Sequence, residues 1–95
     1  MANRPPTSEL DIRNAMIEYV LANHVSSYDH KSMPLDQSLV ELGVLDSYGV
    51  VELVSFIESN WSTTIEDAEI TKEKMGSINR MVSLVQEKIS SETND

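Results

Sequence analysis

The sequence predicts an all-α fold: a small four-helix bundle of three main helices and one short helix, with a long loop between helices one and two. Three observations carry that expectation. Apolar residues recur at helical spacing in three separate stretches, each opened by a serine suited to a helix N-terminus. No alternating apolar–polar stretch is long enough to make a strand. The chain has 95 residues and no cysteine, so one modest apolar core must hold it together without disulfides or thiolate metal sites.

Residues 1–7 read as a flexible tail, because Pro5-Pro6 lacks backbone donors and precedes any regular pattern. Ser8 opens helix one as its N-cap, with Asp11 three residues on in capping-box spacing. Ile12, Ala15, Met16, Tyr19 and Val20 follow as one face of a helix that runs to about Asn23. From His24 to Asp46 the periodicity is lost. Ser26-Ser27 and Pro34 punctuate this loop, Leu35, Leu39 and Leu42 are scattered anchors, and a short helical turn around Asp36–Val40 is expected to pin it. Ser47 starts helix two and reads as its cap. Val50, Leu53, Val54, Ile57 and Trp61 form the core-facing stripe, with Trp61 a core anchor at its end. Thr71 caps a short helix ending near Met75, Gly76 breaks the pattern, and Ser77 caps the last helix. Ile78, Met81, Val82, Val85 and Ile89 make its stripe. The folded domain is expected over 8–90, with a second flexible, polar tail over 91–95.

Sixteen acidic residues against seven basic ones give a formal charge of −9. That argues against binding nucleic acid through its phosphates and favours basic protein surfaces. No apolar run approaches the roughly 20 residues of a transmembrane helix, and Met1–Thr7 does not resemble a signal peptide, so a cytoplasmic protein is expected. His24 and His30, with Asp29 between, match no closed metal site. A serine hydrolase is excluded by the lack of a Gly-x-Ser-x-Gly elbow and of a histidine partner.

The segment Leu42-Gly43-Val44-Leu45-Asp46-Ser47 runs directly into Tyr48-Gly49-Val50-Val51-Glu52-Leu53. It resembles the phosphopantetheine attachment motif of the acyl carrier protein family, in which Asp-Ser opens helix two. The order of elements over roughly 8–90 agrees with that family. The Gly-x-Leu-Asp-Ser form is similar to that of stand-alone carriers used outside primary fatty-acid synthesis, D-alanyl carriers among them. Gly49, where many members have an acidic or apolar residue, is expected to loosen the first turn or to admit a partner.

The resemblance implies that Ser47 accepts 4'-phosphopantetheine from coenzyme A through a Mg²⁺-dependent phosphopantetheinyl transferase. The arm would then carry acyl or aminoacyl groups as thioesters for a lipid, polyketide or other specialised biosynthetic pathway. The protein, a monomer, would not itself be an enzyme. It also implies a partner face on helix two, with Asp46, Tyr48, Val51, Glu52, Ser55 and Glu58 meeting the transferase, the loading ligase, synthases and acyltransferases. Val50, Val54, Trp61, Ile65 and Ile70 are expected to sequester the apolar cargo. The alternative is a small acidic helical adaptor for a basic partner, with Ser47 only a helix cap.

Overall fold

The computed structural model describes residues 8–24 and 28–92; the expected tail at 1–7, residues 93–95 of the tail expected over 91–95, and Ser26-Ser27 lie outside them. The expected helices are present: α1 (Glu9–Asn23), α2 (Ser47–Trp61), α3 (Lys72–Met75) and α4 (Ile78–Glu92), and no strand occurs among the described residues. Ser8 caps α1, its Oγ accepting the Asp11 N–H at 3.1 Å while its hydroxyl donates to Asp11 Oδ2 at 2.7 Å. Thr71 Oγ1 accepts the Lys74 N–H at the start of α3, and Ser77 Oγ accepts the Arg80 N–H at the start of α4. α4 continues through Ser90 to Glu92, past the point where the tail was expected. No glycine or proline stops it there, and helix ends are the least definite part of a sequence pattern.

The core lies where α4 meets the other three helices. Ile12, Met16 and Val20 of α1, Leu53 and Ile57 of α2, and Ile78, Met81, Val82 and Val85 of α4 are almost fully buried. Burying one such side chain contributes about 1.5–3 kcal/mol. Ile17 and Leu84, outside the expected stripes, are buried too. α4 packs on α1 and α3 as well as α2, so it needs a wider apolar arc than a stripe facing one neighbour. Val50 and Ile89 are only half-buried.

The described part of the segment before α2, residues 28–46, is tied down at several points. Asp29 Oδ1 accepts the N–H groups of Lys31 and Ser32 and forms a local turn. The Leu35 carbonyl accepts the Asn79 N–H, and the Leu39 N–H donates to the Gly76 carbonyl, which pins the loop to the α3–α4 junction. Met33, Leu39, Val44 and Leu45 are buried, whereas Leu42 is exposed. The helical turn expected at Asp36–Val40 lies slightly later. Ser38 opens it, its carbonyl accepting the Leu42 N–H at 3.0 Å and its Oγ the Glu41 N–H at 3.2 Å. Gly43 ends it at φ +78°, a backbone setting that L side chains disfavour. A single 3₁₀ turn at Asp67–Glu69, absent from the expected elements, is held to α4 by a 2.6 Å Glu69–Lys88 ion pair.

Candidate functional site around the start of helix two

The residues after Gly43 alternate in direction. Val44 and Leu45 go into the core, and Asp46 and Ser47 come to the surface. The expected cap is corrected here: Asp46, not Ser47, is the N-cap of α2. Asp46 has extended backbone, its Oδ1 accepts the Gly49 N–H at 2.8 Å, and its carbonyl accepts the Val50 N–H at 3.0 Å. Aspartate caps as well as serine does, and it stands one residue earlier, where the chain turns into the helix. Ser47 is therefore the first helical residue. Its exposed side chain is not needed to start the helix. Its own N–H and that of Tyr48 precede the helical ladder, at the positive end of the helix dipole.

Gly49 is buried, so neither a loosened turn nor an approaching partner accounts for it. A Cβ there would lie 3.0 Å from Leu45 Cδ2, 3.1 Å from His24 Cε1 and 3.4 Å from Asp46 Oδ1. The glycine lets the end of α1 pack against the first turn of α2. Around that contact, Tyr19 stacks on Phe56 with ring centroids 4.3 Å apart, and Phe56 meets Trp61 edge-on at 5.7 Å. Trp61 is buried at the end of α2.

The outer face of α2 carries Tyr48, 81% exposed, and Val51, 61% exposed, with Glu52 and Ser55 also exposed. Glu58, expected to extend the acidic line of Asp46 and Glu52, is half-buried. Its Oε2 accepts the Ile65 N–H at 2.8 Å and so braces the segment after α2. With Asp46 Oδ1 held by Gly49, Glu52 is the member of this trio whose carboxylate accepts no backbone N–H among the described residues. The Tyr19 hydroxyl is pushed above its usual pKa, first by burial and then by the Glu52 charge.

On the other side of α2 a groove of about 300 Å³ lies between the 38–43 turn, α2 and α3. Val40, Val50, Ile70 and Met75 supply its apolar wall, and the Glu41–Lys72 ion pair lies at its rim. Of the residues expected to sequester cargo, Val50 and Ile70 line this groove. Val54, Trp61 and Ile65 are instead buried in the core.

His30 and Asp29 are exposed, and Asp29 is occupied by its turn, whose bonds from Ser32 hold its carboxyl below the usual range. His24 points elsewhere, against Gly49. Among the described residues no three His, Asp or Glu side chains converge as a metal would require. None of the described helices is long and apolar enough to cross a membrane.

No family model matches the chain. Comparison with curated proteins finds relatives described as D-alanyl carrier proteins in Streptococcus suis strains 05ZYH33 and 98HAH33. Each is 38% identical over 53 residues, 56% of this chain and 67% of the relative. The chain belongs to the acyl carrier protein family. As a stand-alone carrier of that family it has the helical fold that the order of its elements implies.

Proposed function

We propose that this carrier bears a 4'-phosphopantetheine arm on Ser47 and holds acyl or aminoacyl groups on it as thioesters. The observation that carries this reading is the division of labour at α2. Asp46 caps the helix, which leaves the Ser47 side chain at the surface on the helix N-terminus. Phosphate is favoured at such a place by the dipole and by N–H groups that have no intrahelical partner. In the transfer, Ser47 Oγ forms a bond to the phosphorus that carries pantetheine in coenzyme A, the pyrophosphate bond breaks, and the adenosine bisphosphate leaves. The hydroxyl proton goes to a base of the transferase. The arm, once attached, supplies the thiol that forms the thioester.

The similarity to D-alanyl carrier proteins favours an aminoacyl cargo, loaded by a separate ligase in the cytoplasm. The groove at Val50, one helical turn from Ser47, supports a resting place for the arm and a small cargo. Tyr48 and Val51 serve as apolar anchors for partner enzymes, and Glu52, with Asp46 and Ser55 beside it, supplies the polar contact.

Intact-mass measurement tests the reading. After incubation with coenzyme A, Mg²⁺ and a broad-specificity phosphopantetheinyl transferase, the wild-type protein gains one phosphopantetheinyl group. Ser47→Ala gains none and keeps its helical circular dichroism. Modification of the alanine variant, or no modification of the wild type, overturns the assignment and favours the adaptor reading.

A further inference from the structure

His24 Nε2 is buried and has no hydrogen-bond partner, although buried polar atoms are nearly always paired. The imidazole is held in place from two sides. Tyr19 meets it edge-on at 6.0 Å, and Gly49 leaves its Cε1 the space that a methyl group would crowd. Glu52 Oε1 stands 4.0 Å from Nε2, beyond hydrogen-bond length but close enough to form an ion pair with a charged ring. The Glu52 side chain is 63% exposed and that of His24 only 13%, so the carboxylate faces both the solvent and the buried ring.

We propose that His24 is the positioning residue of the docking face, and that its protonation sets how much of the Glu52 charge a partner enzyme meets. With the ring neutral, Glu52 presents its full charge to the solvent beside Tyr48 and Val51. With the ring protonated, Nε2–H donates to Glu52, draws the carboxylate toward α1 and neutralises it locally. Histidine is the side chain suited to such a change between about pH 5 and 8. The titratable groups that face it are Tyr19 on α1, Glu52 on α2 and Asp46 at the cap of α2, whose Oδ1 borders the same Gly49 surface. His24 is also the C-cap of α1, whose last turn holds no basic residue.

The role in docking rests on the proposed carrier function, but the His24–Glu52 coupling does not, so two measurements separate them. The first is an NMR titration of the imidazole resonances of the unmodified protein. Glu52→Gln moves the His24 midpoint to lower pH, whereas Ser55→Ala leaves it in place and neither variant moves His30. An unchanged His24 midpoint in Glu52→Gln overturns the coupling, whatever the protein carries.

The second is the rate of phosphopantetheinyl transfer at neutral pH and at about pH 5.5. The ratio of wild type to Glu52→Gln removes the pH dependence of the transferase itself. That ratio falls by about two- to fivefold on acidification, the range a partly exposed ion pair supports. In the His24→Gln background it stays constant. A ratio that falls equally in both backgrounds, or in neither, overturns the role in docking. Should His24→Gln fail to fold, His24→Asn replaces it, and the titration of wild type against Glu52→Gln still decides the coupling.

Discussion

Replacing Gly49 by alanine sets helix propensity against packing, and the structure says which prevails. An alanine inside a helix is favoured over glycine by about 1 kcal/mol. Against this, the new Cβ arrives 3.0 Å from Leu45 Cδ2 and 3.1 Å from His24 Cε1, closer than ordinary contact. Leu45 is 5% exposed and the His24 ring is confined by Tyr19, so neither has free space to retreat into. Forcing extra carbon into such a site costs about 1–3 kcal/mol. Gly49→Ala is therefore expected to destabilise by about 1 kcal/mol net. Urea denaturation followed by the single tryptophan, Trp61, measures this as a lowered midpoint at unchanged slope. Removing the obstruction supplies the control: in a Leu45→Ala background the same substitution costs less than it does alone, or stabilises. A Gly49→Ala protein that is more stable than wild type by the full propensity gain would refute the packing argument and place the helix start away from α1.

Two further outcomes follow from burial and charge. Leu53→Ala is expected to destabilise by about 2–5 kcal/mol because the side chain is fully enclosed, whereas Tyr48→Ala, on the solvent face, stays within about 0.5 kcal/mol of wild type in the same urea assay. Glu69 is held below its usual pKa, first by the hydrogen bond from Lys88. Its contribution to stability is thus present at neutral pH and is lost as pH falls below the usual carboxylate range. The stability difference between wild type and Glu69→Gln should shrink in acid; a difference that persists at about pH 3 contradicts the ion pair.

The helices were legible because each buries one face and spaces its apolar residues accordingly, whereas Ser47 was singled out by the resemblance of the Asp46-Ser47 motif and not by the stripe of α2. What escaped had no period to betray it. Met33, Val44 and Leu45 are buried from a loop, where burial depends on which neighbour the chain meets rather than on spacing. Glu58 looked like one more surface carboxylate, since only the path of the chain after α2 brings the Ile65 N–H to it. The misread cap has a similar cause. Asp46 and Ser47 are both good capping residues, and only backbone geometry tells the cap from the first helical residue. One signal for His24 was present, though unread: a glycine in the first turn of an amphipathic helix marks a close approach, and the end of α1 makes it.

The distinction between cap and first residue matters for a carrier. A serine that capped the helix would accept a backbone N–H through the same oxygen that the proposed modification would esterify, and losing a cap costs about 0.5–2 kcal/mol. Every attachment or removal of the arm would then strain the helix that partner enzymes read. With Asp46 bonded to Gly49, Ser47 Oγ is outside that hydrogen bond, so the proposed modification would not remove the cap. On the proposed function the same aspartate would bring a negative charge next to the phosphate, and its hydrogen bond to the Gly49 N–H partly offsets that charge. Gly49 thus serves on two sides: its N–H anchors the cap, and its missing side chain admits His24. The proposed attachment residue Ser47, the cap and the proposed docking carboxylate Glu52 are consequently set by one turn of helix packed on the end of α1, so on the proposed function a change at that contact acts on docking and on helix geometry together.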